Sequence, residues 1–497
     1  MFTQSGGLAH LWAEFSTTTA LSAGAAAFVL YAIGLVIYRV YLHPLAKYPG
    51  PFWAKITEWY ALYFVFTGRD TKKRYEWSVK YGNILRVGPN ELQFNDVTSV
   101  KEIYGQGSAM PEKDAEFYSA FSFTGIPNIL SSATKVEHSR IRRLVSHAFS
   151  FQNVLNCESR VAAQVDKFLH IIDNSAQPVE AYDLIHHLFL DTISELSFDQ
   201  VFGCLDGHMV EEALGPERVA LLSTTKGKIP FIEWIPLQFV KEALAAQPRM
   251  IKFATDRVRD LLDRINNGKS HQSSLLERMI KENRNGESFT EQELVENAII
   301  FIGAGAGTSH ISLAYLLWHV DQDPAVRKRL EDEIRSAFPD PSVMPDFKTL
   351  STLPYLDCVL SEVLRLRGPL ASLAPRISPG KTISGEYISK GTKVSSLPYC
   401  THRHAEVFPD PWKFDPSRWL EPTPEMKTMW RPFSLGPRNC IGLHLAKMQI
   451  FVAAAALYLK YDIRVDDSIT EDMMDMEDRG ILSPRGKELK VFFTKRF

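Results

Sequence analysis

The sequence predicts a mostly α-helical protein with a small β-region, preceded by one apolar N-terminal helix. Three observations carry this expectation. Ala20 to Ile37 is an almost unbroken apolar run. Helix-start signals and long helix-compatible stretches dominate the rest of the chain. Strand alternation with turn residues is confined to short segments. Length alone would suggest about three domains. The 497 residues nevertheless contain no Pro/Ser/Gly tract, charge block or internal repeat, so one large globular unit is expected. The 45% hydrophobic content can fill a large core, and the net charge of -2 gives no reason to expect nucleic acid. Cys157, Cys204, Cys358, Cys400 and Cys440 have no paired spacing, which points to a reducing compartment.

The apolar run is about 18 residues long, near the lower limit for crossing a bilayer. No Lys or Arg precedes it, whereas Arg39, Lys47 and Lys55 follow. That asymmetry predicts an uncleaved anchor (residues 1–40) with the body on the cytosolic side. No Asn-x-Ser/Thr acceptor occurs, in agreement with that side. His43-Pro44-Leu45 and Tyr48-Pro49-Gly50-Pro51 cannot continue a helix and predict a stiff hinge over 41–51. Ile84 to Phe94 alternates around Gly88-Pro89-Asn90, a hairpin signal. Residues 105–130 read as an aromatic loop with Phe117, Tyr118, Phe121 and Phe123, either core or pocket wall. His138 and Arg142 share a helical face at i, i+4. Val161 to Lys281 is mostly helical, with breaks near Gly203, Gly215 and Pro236.

Thr290 to Glu293 is a capping box opening a helix that can run to Gln322. Its middle, Phe301-Ile302-Gly303-Ala304-Gly305-Ala306-Gly307-Thr308, spends three glycines at about 1 kcal/mol each relative to Ala. Close helix packing or a groove beside a ligand would account for them. Pro354 opens a helix to about Arg367 as an N1 proline, placing Glu362 and Arg365 at i, i+3. Thr382 to Val394 has hairpin character around Gly385, and Arg479 to Leu482 falls between strand-like segments. The last long helix, Leu443 to Tyr461, follows Phe433-Ser434-Leu435-Gly436-Pro437-Arg438-Asn439-Cys440-Ile441-Gly442. A cysteine at a helix N-terminus favours the thiolate, either a nucleophile or a soft metal ligand. Gly436 lets the backbone turn or approach a flat cofactor.

Phe433, Gly436, Arg438, Cys440 and Gly442 fill every fixed position of Phe-x-x-Gly-x-Arg-x-Cys-x-Gly. Here the sequence resembles the haem-thiolate monooxygenases, the cytochrome P450 superfamily, of the microsomal type and with the proline-rich hinge of fungal members. The resemblance implies the haem-thiolate fold over 52–497 and haem b as cofactor. It implies Cys440 as the iron ligand, whose thiolate pushes electron density toward the metal. His138, Arg142, Arg376 and Arg438 would meet the haem propionates, Phe433 would shield the sulfur, and Ala304 and Gly305 would face the haem. Thr308 would handle dioxygen and orient water for proton delivery. The family's acid position next to that threonine is Gly307 here, which puts the usual proton relay in doubt. Glu362, Arg365 and Arg418, the last from Phe414-Asp415-Pro416-Ser417-Arg418-Trp419, would form a structural charge network.

Phe117, Phe121, Phe123, Phe301, Leu370, Leu373 and Ile481 are candidate pocket residues by the same resemblance. Val161 to Lys281 would form the lid over the substrate channel. No nucleotide-binding or flavin module is visible, so electrons would come from a separate membrane-bound NADPH-dependent reductase, docking near Lys427, Arg431, Arg438, His444 and Lys447. The expected protein is a monomeric, single-pass endoplasmic reticulum enzyme that hydroxylates or epoxidises a hydrophobic small molecule of secondary metabolism. The alternatives are a haem-thiolate enzyme of other chemistry (phenol coupling, oxidative ring formation, dehydration, peroxide rearrangement) and a non-catalytic haem sensor.

Overall fold

The computed structural model describes residues 6–107, 109–210, 219, 222, 223, 225, 226, 229, 231–269, 274–281, 286–370 and 374–496, with side chains from Thr17 onward. The expected breaks at Gly203 and Pro236 fall between helices, and Gly215 lies outside the described residues. The N-terminal helix spans Gly6–Ile37 and widens into a π-turn at Tyr38–Leu42. Among the described residues three helices are long and apolar enough to cross a membrane, but two of them are mostly buried in the protein. Of these three, the segment Thr17–Leu42 has no buried residue in its most apolar stretch.

The junction behind that helix is fastened by a cation. Arg86 is fully buried, and its guanidinium donates to the carbonyls of Arg39 (2.7 Å), Pro89 (2.6 Å) and Gly88 (3.3 Å). Its own N–H reaches Pro49 O at 2.7 Å. The prolines prevent helix from continuing, and Arg86 fixes the direction the chain then takes.

Among the described residues the strands form four small sheets. The largest has order β1-β2-β8-β5-β3. β1 (Ile84–Gly88) and β2 (Glu91–Phe94) form the expected hairpin. β2 pairs in parallel with β8 (Lys393–Ser395), and β5 (Arg376–Ile377) joins β8 to β3 (Glu112–Lys113). β6 (Lys381–Ile383) and β7 (Glu386–Ile388) make the hairpin at Gly385. β4 (Val179–Glu180), β12 (Lys490–Lys495) and β9 (Tyr461–Val465) form a third sheet. β10 (Met476–Asp478) and β11 (Leu482–Pro484) flank Ile481.

The central helix, Glu291–Gln322, is the spine of the core. Its capping box is complete: Glu293 N donates to Thr290 Oγ1 (3.2 Å) and Thr290 N to Glu293 Oε2 (2.9 Å). Helices Ala181–Phe198, Gln238–Asn266, Pro354–Arg367 and Leu443–Lys460 pack around it. Close packing explains one of its glycines. A Cβ on Gly305 would lie 2.8 Å from the Ile193 side chain of the helix alongside.

Candidate active site

Ala304 and Cys440 are exposed although much of their surroundings is buried. Ala304 is exposed midway along the central helix, with Ile302 and Ala306 buried beside it. Cys440 is the one exposed cysteine of the five. Enough protein surrounds its sulfur that burial still pushes the thiol up, while the Gly442 N–H and the Arg142 guanidinium pull it down. The Cys440 sulfur is therefore exposed yet closely surrounded by protein. Ser309, next to Thr308, donates to Gln449 Oε1 at 3.3 Å, tying the central helix to Leu443–Lys460, the helix that Cys440 precedes.

The cysteine loop is built by its neighbours. Cys440 N donates to Phe433 O at 2.8 Å, and Gly436-Pro437-Arg438 forms a single 3-10 turn. Gly436 has φ +64°, and a Cβ there would lie 2.6 Å from both Tyr104 O and Gly105 O. The close approach that requires glycine is thus to the chain at 104–105. From helix Lys135–Ser146, Arg142 donates to Asn439 O (2.6 Å) and Oδ1 (2.7 Å), adjoining Cys440. Arg438 donates to the carbonyls of Ser132, Ala133 and Thr134.

These arginines belong to a larger group of cations. Lys113 and Arg376 are cross-strand partners in β3 and β5, and both are buried. Like charges directly opposite in a ladder repel. Lys113 Nζ donates to Leu130 O and lies 4.5 Å over the Tyr118 ring, while Arg376 donates to Tyr118 Oη at 3.0 Å. Burial, then Arg376, Arg438 and Arg142, push the Lys113 ammonium well below its ordinary range. Burial, then Arg438, Lys113, Arg142 and Arg376, depress His138 to about 3. Arg438 is lowered to about 10 by burial and Arg376, with Glu112 and Glu137 offsetting weakly. Among the described residues no carboxylate forms an ion pair with Lys113, Arg142, Arg376 or Arg438. The group is short of negative charge, which two propionates would supply. A thiol beside it and an open face of small residues on the central helix complete a donor set that fits haem.

Glu362, Arg365 and Arg418 meet. The Glu362 carboxylate accepts from Arg365 Nε and Nη2 (both 2.8 Å), Arg418 Nε (3.0 Å), Trp419 Nε1 (2.9 Å) and Asp415 N (3.0 Å). Thr308 Oγ1 donates to Ala304 O at 2.9 Å, leaving its lone pairs free to accept. Some expected roles change. Phe123 and Phe301 are buried in the core, the latter edge-on to Phe149 at 5.1 Å, so neither presents an open wall. Phe117 and Phe121 are half-buried neighbours at 5.8 Å, Ile481 is half-buried, Leu370 is exposed, and Leu373 lies outside the described residues. Arg431 leaves the expected docking face. It is buried, donates to Ser396 Oγ (3.0 Å) and sits 4.4 Å over the Tyr104 ring. Lys427 is exposed, and Lys447 pairs with Asp357. Lys113 escaped sequence reasoning because a lone lysine in a loop carries no spacing signal.

Fold and donor set define a haem-thiolate protein. The family model for cytochrome P450 matches residues 59–491, and the chain belongs to the cytochrome P450 family. It is an oxidoreductase, a haem-thiolate monooxygenase, with haem as cofactor. Among its relatives, a cytochrome P450 monooxygenase of Penicillium roqueforti is 30% identical, over 89% of this chain and 88% of that one. The cytochrome P450 monooxygenase BOT4 of Botryotinia fuckeliana is 31% identical, over 86% and 82%. An averantin hydroxylase of Dothistroma septosporum is 30% identical, over 89% and 85%. The crystal structure of the cytochrome P450DA heme domain shares the fold, with TM-score 0.76 at 20% identity over 88% of this chain and 95% of that one.

Proposed function

We propose that this monooxygenase is anchored in the endoplasmic reticulum membrane by residues 1–40. The hinge at 41–51 and the body at 52–497 lie on the cytosolic side, and the enzyme oxidises a hydrophobic small molecule of secondary metabolism. The observation that carries the site reading is the convergence of Lys113, Arg142, Arg376 and Arg438 beside Cys440, with no carboxylate ion pair among the described residues and His138 neutral beside them. Cys440 would ligate the iron, and the cations would hold the propionates. Haem supplies the activation of dioxygen and the insertion of one oxygen atom into the substrate, the other leaving as water. Two electrons come from NADPH through a separate reductase, and Lys427 and His444 stand on the proposed docking face. A relative named averantin hydroxylase supports hydroxylation of a secondary metabolite.

The chain's own part in the reaction is proton handling. Thr308 Oγ1 spends its proton on Ala304 O, so the oxygen is placed to accept from a water and orient it. Gly307 contributes no carboxylate, so water or a substrate hydroxyl delivers the protons. That same gap favours the second reading, coupling or rearrangement chemistry. Labelled dioxygen and NADPH consumption separate the two. Hydroxylation predicts label in the product, and Thr308→Ala predicts less product per NADPH with more peroxide. Unlabelled product, with coupling unchanged in Thr308→Ala, would sink the first reading.

A further inference from the structure

Glu296 is a fully buried carboxylate on the first turns of the central helix, and among the described residues no cation pairs with it. Four donors converge on it instead. Oε1 accepts from Phe123 N (2.9 Å) and Asn128 Nδ2 (2.8 Å). Oε2 accepts from Thr124 N (2.8 Å) and Thr124 Oγ1 (2.7 Å). Neighbouring contacts extend the same junction. Asn297, also fully buried, accepts Ile129 N at 3.2 Å, and Asn128 Nδ2 reaches back to Phe121 O at 2.6 Å. Gln247, from helix Gln238–Asn266, donates to Phe123 O at 2.9 Å. Three elements therefore meet at Phe123–Thr124: the aromatic loop, the central helix and one helix of the lid region.

The position matters for the site. Ala304 lies eight residues further along the same helix, about 12 Å at 1.5 Å per residue. The loop's other end is held at Lys113 and Tyr118, within the cation group. Phe117 and Phe121, both half-buried, stand between the two fastenings. Hydrogen bonds to a buried charge are strong, and each lost partner strands the rest. We propose that Glu296 is the positioning residue that clamps the 121–129 loop over the open face of the central helix and thereby limits the size of molecule that reaches the iron. This rests on the haem site proposed above.

The test uses full-length, haem-loaded protein. Glu296→Gln keeps the shape but turns an NH2 group toward donors. Thr124→Val removes the hydroxyl donor alone, and Thr124→Ser restores it. Amide hydrogen exchange across 117–131 should rise about tenfold or more in Glu296→Gln, the scale of one lost charge-assisted hydrogen bond. It should rise less in Thr124→Val and stay at the parent level in Thr124→Ser. Imidazole and the bulky triaryl azole clotrimazole, both read by the Soret shift on nitrogen coordination, report access to the iron. Their affinity ratio should move toward the bulky ligand by about fivefold, a measurable population shift. A role confined to folding would change expression and leave that ratio alone. Unchanged exchange, or raised exchange with an unchanged ratio, overturns the proposal. If Glu296→Gln does not fold, Thr124→Val against Thr124→Ser decides by the same two readouts. A parent protein without the thiolate-type carbon monoxide band would refute the site reading itself, independently of both.

Discussion

Replacing Glu362 by Ala should be among the most damaging single changes near the cysteine loop. Its carboxylate collects five hydrogen bonds, including two from Arg365 and one from Arg418. Arg365 is fully buried and would keep only backbone carbonyls, those of His402, Pro411 and Lys413. Stranding a buried charge this way costs about 3–5 kcal/mol, a large part of a stability of about 5–15 kcal/mol. Arg418→Ala should cost less, about 1.5–3 kcal/mol, because it removes one charged hydrogen bond to Glu362 and one to Pro409 O without stranding a charge. Glu362 then keeps Arg365 and Trp419, and the Arg418 side chain is already 9% exposed. Glu362→Ala combined with Arg418→Ala should cost less than the sum, because the second change removes a charge the first has stranded. Urea unfolding followed by circular dichroism gives the free energies, and the carbon monoxide complex gives haem loading. Equal costs for the two single changes, or full haem loading in Glu362→Ala, would refute the reasoning.

Cys440→Ala should abolish the red-shifted Soret band of the reduced carbon monoxide complex, and a surviving band would move the iron ligand elsewhere. Removing residues 1–40 should leave haem loading intact while vesicle flotation persists in part, because Trp53, Trp59, Tyr63 and Trp234 are exposed aromatic side chains on the body. Loss of haem on truncation would contradict a purely anchoring role. His402 should make the fold acid-sensitive: its Nε2 accepts Arg431 N (3.0 Å), its Nδ1 faces Arg365 O (3.3 Å), and burial with Arg431, Arg403 and Arg365 pushes its pKa well below 6.5. The unfolded chain then binds the proton that the native one refuses, so stability is full above about pH 6.5 and falls as pH drops below it. His402→Gln should flatten that slope by about one proton, leaving the parallel contributions of His138, His310 and His319, and an unchanged slope in urea titrations from pH 7.5 to 5 would refute this.

The features legible in the sequence are those whose partners lie within a helical turn or two, or whose motif is complete. The Thr290–Glu293 capping box, the N1 proline at Pro354 and the hairpin at Gly88-Pro89-Asn90 are of that kind. Glu362 and Arg365 are visible as an i, i+3 pair, but spacing does not reveal Arg418, which joins them from 56 residues away. Composition does not distinguish a core ring from a pocket wall at Phe123 and Phe301, and both rings are buried. Charge misled at Arg431, which stacks over Tyr104 instead of facing solvent. Glu296 gave no signal at all, since its donors come from 168 to 173 residues upstream.

Lys113 and Glu296 share a physical logic that links the cofactor to the loop. Each is a buried charge without an opposite side-chain charge among the described residues. Each is instead held by the backbone of one segment: Lys113 by Leu130 O, and Glu296 by the N–H groups of Phe123 and Thr124. Isolated charges are expensive to bury, so the chain must close over them in a particular shape or leave them in water. In the proposed site the cation's deficit would be met by the haem propionates, whereas the carboxylate's is met by the loop's own donors. Haem binding at one end of 113–130 and loop closure at the other are then two conditions on one stretch of backbone. A substitution that frees either end is felt at both.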